Sequence, residues 1–336
     1  MSQPETAVPA EHTIADTAGA FSILRLDGEG GATPLEPGRD ASWRLDIEPV
    51  WLDLDRRHER VKRFIREGAV RDHLLAEAML AEETRPRCVE DDEGMLLILR
   101  AVNLNPGTDP EDMVAVRLWI TPSAVLSARM FHLKSIADIR EALQAGKGPK
   151  GVGELVVLLI TRIVARLVPV IEELRETCDD LEDHVIAPDS DPEHAQVAAI
   201  RRRAILLKRY MTPQRDAMRH LQTAHVSWLT ENDRARLAEA TDQLQRCVED
   251  LEAVRERAMV IQEELESHAT ARQGQALYTL SIVTVLFLPL GFLTGLMGMN
   301  VRIPGEGGSL GFWIAVGAML CIVGVELWLF KRFKWL

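Results

Sequence analysis

Apolar positions along this chain recur with changing period, and each change marks an element. Residues 21–26 and 43–47 alternate apolar with polar at every second position, the pattern of half-buried strands. Residues 53–81 are expected to be helical. Apolar runs at 95–102 and 114–120 are separated by Asn105-Pro106-Gly107 and Asp109-Pro110, turn-forming sequences that predict a hairpin, and residues 124–130 read as a further strand. Up to about residue 150 this is the pattern of a compact α/β domain, preceded by a polar stretch, residues 1–19, that is expected to be disordered.

From Gly153 the period is helical almost to the end. Residues 155–171 are apolar enough to suggest a membrane span, but Arg162 and Arg166 lie within them, and each would cost about 2.5–3.5 kcal/mol at a bilayer centre. A buried helix outside the membrane is therefore expected. It continues into the acidic residues 172–183. A turn at 187–191 leads to Pro192 as the first residue of a second helix, with Asp191 as its cap; this helix carries Arg201, Arg202, Arg203, Lys208 and Arg209. The acidic and basic helices are suited to lie side by side, and equally each charged run suits a solvated face.

The clearest repeat follows. Leu237, Leu244, Leu251, Ala258 and Leu265 recur every seven residues, and Ala240, Cys247, Val254, Ile261 and His268 each follow three positions later. These are the a and d positions of a long helix with one apolar seam for partner helices. No Gly or Pro interrupts it before Gly274, so stalk and following apolar segment are expected to form one rod of about 60 residues, on the order of 90 Å. The f positions are Asp242, Glu249, Glu256 and Glu263, an acidic ladder, with Glu252 and Glu266 at neighbouring b positions. On a lone helix this is a water-facing surface; repeated around an axis, the same carboxylates would form rings that concentrate cations.

Two apolar segments close the chain. Residues 276–297 hold no formally charged side chain across 22 positions, and residues 310–330 hold only Glu326 across 21, so either is long enough to span a bilayer. Two helices have no interior that lipid does not touch, so conduction would require a ring of subunits. The first segment offers Gly291 and Gly295 for close helix approach and hydroxyls at Thr279, Ser281, Thr284 and Thr294. Pro289 removes one helical hydrogen bond and can bend it. At its end Gly298 lets the backbone leave the helix, and the neutral amide oxygen of Asn300 suits transient contact with a hydrated cation. An ordinary helix stop has the same residues.

Charge narrows the choice of partner. The 336 residues carry 39 Lys plus Arg against 51 Asp plus Glu, a net charge of -12, the wrong sign for holding nucleic acid by its phosphates. The four cysteines, Cys88, Cys178, Cys247 and Cys321, are scattered, without the pairs of a disulfide framework or a structural zinc site. Residues 1–19 are acidic and polar and lack the basic and apolar regions of a secretory signal, so the large N-terminal part is expected to stay in the cytosol. Arg272 precedes the first span, Lys331, Arg332 and Lys334 follow the second, and the loop 301–309 has only Arg302, which puts both termini in the cytoplasm. There is no P-loop, nucleophile elbow, H-E-x-x-H or Rossmann glycine pattern, so an enzyme is not expected and no catalytic cofactor is implied.

The tripeptide Gly298-Met299-Asn300 after the first span, the preceding Leu288-Pro289-Leu290, the short loop, the second span and the basic tail ending Lys334-Trp335-Leu336 together resemble the CorA superfamily of divalent-cation channels. Within it, residues 99–107, then Pro110-Glu111-Asp112-Met113 and Ile303-Pro304-Gly305, look most like the ZntB branch of zinc transporters. The resemblance implies an α+β homopentamer in a bacterial inner membrane. It would have a cytoplasmic funnel domain at 20–150, antiparallel outer helices at 151–231 and a stalk helix at 232–275. The stalk would continue as a pore-lining span at 276–300, followed by a periplasmic loop at 301–309, a second span at 310–331 and a basic tail at 332–336.

By the same resemblance the selectivity filter is Gly298, Met299 and Asn300, and the pore positions fall on Leu277, Leu280, Leu288 and Gly291, with Glu263 near the cytoplasmic entrance. Gly291 stands where the magnesium branch commonly has threonine, so a polar constriction is expected either to be missing or to have moved to Thr294. Leu277, Thr284 and Gly291 continue the seven-residue stripe of Glu249, Glu256 and Glu263 independently of any relative. Glu263, Glu266 and His268 are the candidate metal or proton ligands. The expected activity is conduction of divalent cations, zinc favoured over magnesium, cobalt, nickel or cadmium, with proton coupling as in that branch. The alternatives are a magnesium and cobalt channel, or a non-conducting membrane-anchored metal sensor or scaffold.

Overall fold

The computed structural model describes residues 20–35, 49–186, 194–298 and 309–332. The chain divides into two units, residues 1–262 and 263–336. The first is built on a seven-stranded sheet of order β2-β1-β3-β7-β6-β5-β4. Its strands are β1 (Phe21–Leu26), β2 (Ala32–Pro34), β3 (Val50–Asp55), β4 (Arg87–Glu90), β5 (Met95–Ala101), β6 (Val114–Ile120) and β7 (Ala124–Arg129). Neighbours pair antiparallel except β3 with β7, which run parallel. The expected hairpin is the β5–β6 pair, in register from Met95 opposite Ile120 to Ala101 opposite Val114.

Residues 53–81 are not one helix. Asp53 to Asp55 finish β3, and the remainder is α1 (Glu59–Phe64), a π-helical turn at Ile65–Ala69 and α2 (His73–Leu80). The strand wins because both its faces are covered. Leu52 and Leu54 pack with Val61, Ile65 and Met79 in one apolar layer. On the other side Asp53 accepts hydrogen bonds from Arg129 at 2.9 Å, from Arg140 at 2.7 Å and from the Ser127 hydroxyl at 3.0 Å. The strand expected at 43–47 lies outside the described residues.

The α3 helix (Lys134–Gln144), absent from the sequence expectation, follows β7 directly. Beyond it come α4 (Val152–Ile186), α5 (His194–Thr223) and α6 (Glu231–Gly298). The apolar part of α4 is buried within the first unit, from Leu155 and Val156 to Val170 and Ile171. Arg166, the residue that argued against a span, forms a bidentate pair with Asp138 of α3. The turn at 187–191 and Pro192 lie outside the described residues. Among the described residues the ion pairs of its flanking helices go elsewhere: Arg203 of α5 meets Glu111 at 3.3 Å and Lys208 meets Glu252 of α6 at 2.7 Å, whereas Asp179 of α4 meets Arg257 of α6.

Arg56, Arg100 and Arg117 gather beneath the end of α2 and donate to the carbonyls of Leu80, Ala81, Thr84 and Met113. Arg117 is 1% exposed. Burial, and then the charges of Arg56 and Arg100, push its guanidinium down to about 9.

The second unit holds the end of α6 and α7 (Ser309–Arg332). Among the described residues α6 is long and apolar enough to cross a membrane.

Candidate functional site

The seam of α6 is buried at every a and d position from Leu237 to Leu265, none more than 4% exposed. His268, at the last d position, is exposed instead and its ring nitrogen Nε2 lies 3.1 Å from Glu264 Oε1. The f carboxylates Asp242, Glu249, Glu256 and Glu263 are all exposed. Glu252, three residues from Glu249, is instead tied to Lys208. The ladder therefore lies off the seam, although Glu249 accepts from Gln245 Nε2 at 2.6 Å and Gln245 Oε1 in turn accepts from Arg215 of α5 at 3.0 Å.

Further along α6 the expected pore stripe is solvent-facing as well. Leu277, Leu280 and Leu288 are 57%, 62% and 66% exposed, and Thr284 and Gly291 are exposed with them. The half-buried residues of this stretch are Ile282, Leu286, Pro289, Leu290 and Leu293. At about 100° per residue, these five occupy an arc centred roughly opposite Leu277. One face of the helix is thus packed and the candidate pore stripe is the other. Thr294 sits on the flank, about 40° outside the stripe, and its hydroxyl donates to the carbonyls of Leu290 and Gly291 at 3.0 Å. The Thr284 hydroxyl likewise donates to Leu280 O at 2.8 Å. Both hydroxyls thus satisfy themselves on their own helix and keep only lone pairs to offer.

On α7 the half-buried side chains Val316, Met319, Ile322 and Val323 share one face with the buried Glu326 and Phe330. Glu326, the lone carboxylate of the apolar segment, is on that face and not on the exposed one, which spares the exposed surface a charge. The described part of α6 runs to Gly298. Met299, Asn300 and residues 301–308 lie outside the described residues.

Among the described residues no three His, Cys, Asp or Glu side chains gather as a metal site within one chain. Glu263 and Glu266 are exposed, and His268 faces Glu264, a carboxylate outside the expected set. The buried thiols are no substitute: burial pushes Cys88 up to about 12 and Cys247 up to about 11, so neither supplies a thiolate near neutral pH. Sequence reasoning also missed Gln214 of α5, 1% exposed, whose Oε1 accepts from Arg100 N at 2.6 Å and fastens α5 to β5. Nothing in its neighbours' period distinguishes it from a surface glutamine.

The family described as CorA-like Mg2+ transporter protein matches residues 47–332. A divalent cation transporter CmaX of Pseudomonas aeruginosa is 37% identical over 327 residues, covering 96% of this chain and 98% of that one. A zinc transport protein ZntB of Pectobacterium atrosepticum is 34% identical over 320 residues, covering 95% and 97%. The solved structure of the full-length CmaX protein superposes with a TM-score of 0.81 at 36% identity, covering 94% of this chain and 97% of that one.

Proposed function

Since the chain belongs to the family of CorA-like Mg2+ transporter proteins, we propose that it assembles as a homopentamer whose α6 helices line a path for divalent cations across the bacterial inner membrane. The relatives are named as transporters of divalent cations and of zinc, not as enzymes. The observation that carries the pore assignment is the two-faced character of α6. Its packed face is taken up within the chain, while Leu277, Leu280, Thr284, Leu288 and Gly291 present the opposite face to whatever stands around it. An arrangement of such faces about an axis makes an apolar, narrow conduit. Its lower continuation, at seven-residue spacing, is the ladder of Glu263, Glu256, Glu249 and Asp242.

In this reading Gly298, Met299 and Asn300 form the outer filter, where neutral oxygens replace part of a cation's hydration without trapping it. The α7 helix is the second span, and both termini are cytoplasmic. Zinc is the favoured cargo, supported by the naming of the 34%-identical relative. Glu263, Glu266 and His268 are the groups that would exchange protons if uptake is proton-coupled.

Reconstituted vesicles test this. The full-length protein should take up radiolabelled zinc above empty vesicles, and Asn300→Ala should lose uptake or selectivity while keeping the assembly's size. Uptake at the level of empty vesicles would leave a membrane-anchored sensor or scaffold as the better account. Competition by magnesium, cobalt, nickel and cadmium ranks the cargo.

A further inference from the structure

The acidic run of α4 and the basic run of α5 each leave charges unspent on the outside of the first unit. Glu173, Glu176, Asp180 and Asp183 are exposed at spacings of three, four and three residues, so they share one face of α4, turned away from the buried Ile171, Leu174 and Cys178. Ala198, Arg202, Ile205 and Arg209 are exposed at spacings of four, three and four, and share a face of α5 turned away from the buried Ile200, Ala204 and Leu207. None of these four carboxylates and neither arginine has an ion partner among the described residues. Ile205 stands between the arginines, 46% exposed, beside an open groove lined by Arg201, Arg202 and Gln262.

The two stripes also stand at the same height along α6. Asp179 of α4 is paired with Arg257, and α4 runs in the direction of α6, so Asp183, about one turn further on, is level with about Ile261. Arg202 shares that level, since its neighbour Arg201 donates to Gln262 at 3.2 Å. Glu176, about one turn before Asp179, is level with about Val254. Arg209 lies close to it in height, since its neighbour Lys208 is tied to Glu252.

Copies turned about an axis along α6 keep every residue at its own height, so residues that are level within one chain are the ones able to meet between chains. The stripes are of opposite charge, of equal length and on different helices, which suits a head-to-tail contact, the kind that closes a ring. We propose that the acidic stripe of α4 docks on the basic stripe of α5 of a second copy, with Asp183 facing Arg202 and Glu176 facing Arg209 across the apolar Ile205. The inference rests on the homopentamer proposed above and names the surface that joins its members. A single exposed ion pair contributes little, so the stripes act by repetition and set which face meets which.

Charge reversal in the full-length protein in detergent tests this by the mass of the assembly. Arg202→Glu with Arg209→Glu, or Glu176→Arg with Asp183→Arg, should raise the concentration at which half of the assembly dissociates by about ten-fold, because like charges then face each other. All four changes in one chain should restore the parent's value. For the parent that concentration should rise several-fold between about 0.05 M and 0.5 M salt. On a Cys321→Ser background, Asp183→Cys with Arg202→Cys should be joined by a bis-maleimide into covalent multimers of more than two chains, whereas either cysteine alone should give none beyond a dimer. Reversed pairs that assemble like the parent, as they would if the stripes served some other protein, overturn the contact and leave the homopentamer standing. A fourfold variant no better than either pair, or dimers alone from the two-cysteine variant, overturn it as well. A parent that is a single chain in detergent overturns the homopentamer and this contact together.

Discussion

Lys208 Nζ of α5 lies 2.7 Å from Glu252 Oε1 of α6, and this pair marks the side of α6 that is already committed within the chain. The hydrogen bond from Lys208, and then its charge, hold the Glu252 carboxyl below the usual carboxylate range. A carboxylate with a lowered folded pKa contributes stability above its unfolded value of about 4.5 and loses that contribution as pH falls through the folded value. Lys208→Met should therefore be less stable than the parent at pH 7, and the gap should close as the pH falls through the lowered folded value of Glu252. Chemical unfolding at pH 7 and below that value measures it. A gap of the same size at both would mean that Lys208 acts through packing of its stem and not through its charge.

Gly153, at the start of α4, is required by close approach. A Cβ there would lie 2.3 Å from Trp228 O and 2.8 Å from Asp233 Oδ2. The carbonyl cannot swing aside without moving the 228–230 turn, where Asp233 accepts from Thr230 N and Oγ1. Gly153→Ala should destabilise the first unit by about 1–3 kcal/mol, the usual cost of overpacking. Gly68→Ala, whose added methyl would meet nothing within 4 Å, serves as the control and should shift the unfolding midpoint little.

Asp53 presents a different kind of dependence, since its carboxylate is 3% exposed and is shared by Arg129 and Arg140. Removing it leaves two partly buried guanidiniums without their counter-charge and the Ser127 hydroxyl without its acceptor Asp53 Oδ1. Asp53→Ala should cost about 3–5 kcal/mol. Measured in a cycle with Arg140→Ala, the two losses should fall short of additive, because either change alone already breaks the shared pair.

The legible parts were those whose period matched their burial. The a and d seam of α6 was plain because apolar side chains at those spacings have one place to go, and each is buried as far as Leu265. β1 and β6 were legible for the same reason. β3 was not, because Asp53 and Asp55 look like the polar face of a helix, and only the arginines of β7 and α3, remote in sequence, make a buried carboxylate tolerable in a strand. Arg117 was equally opaque: nothing local announces that a charged residue within β6 will spend its donors on the carbonyls at the end of α2. In the candidate site, the exposed positions Leu277, Thr284 and Gly291 followed from the heptad alone, whereas Leu280 and Leu288 came only from the family resemblance. The choice of Glu264 as the neighbour of His268 did not, since Glu263, Glu264 and Glu266 all lie within one helical turn or so of it.

The difference between a carboxylate tied to α5 and the exposed carboxylates of the stripe yields the sharpest test of the funnel. Glu249, Glu256 and Glu263 are exposed on the f stripe, Glu249 accepting from Gln245 Nε2 at 2.6 Å and Glu256 lying 3.8 Å from Arg255 of the same helix, whereas Glu252 is held by Lys208 of α5. If the stripe faces a common axis, each replaced carboxylate removes one charge per subunit from a ring, and the rings raise the local cation concentration most at low ionic strength. The triple change Glu249→Gln, Glu256→Gln and Glu263→Gln should therefore lower initial zinc uptake by about an order of magnitude in dilute salt. The deficit should shrink as the Debye length falls toward about 8 Å at 0.15 M. Glu252→Gln removes a charge from the same helix without touching the stripe, and should leave uptake within about two-fold, since the Lys208 ammonium 2.7 Å away already balances that charge. Equal losses from both sets of variants, or a deficit indifferent to salt, would place the ladder on an ordinary solvated face and remove the acidic funnel from the path.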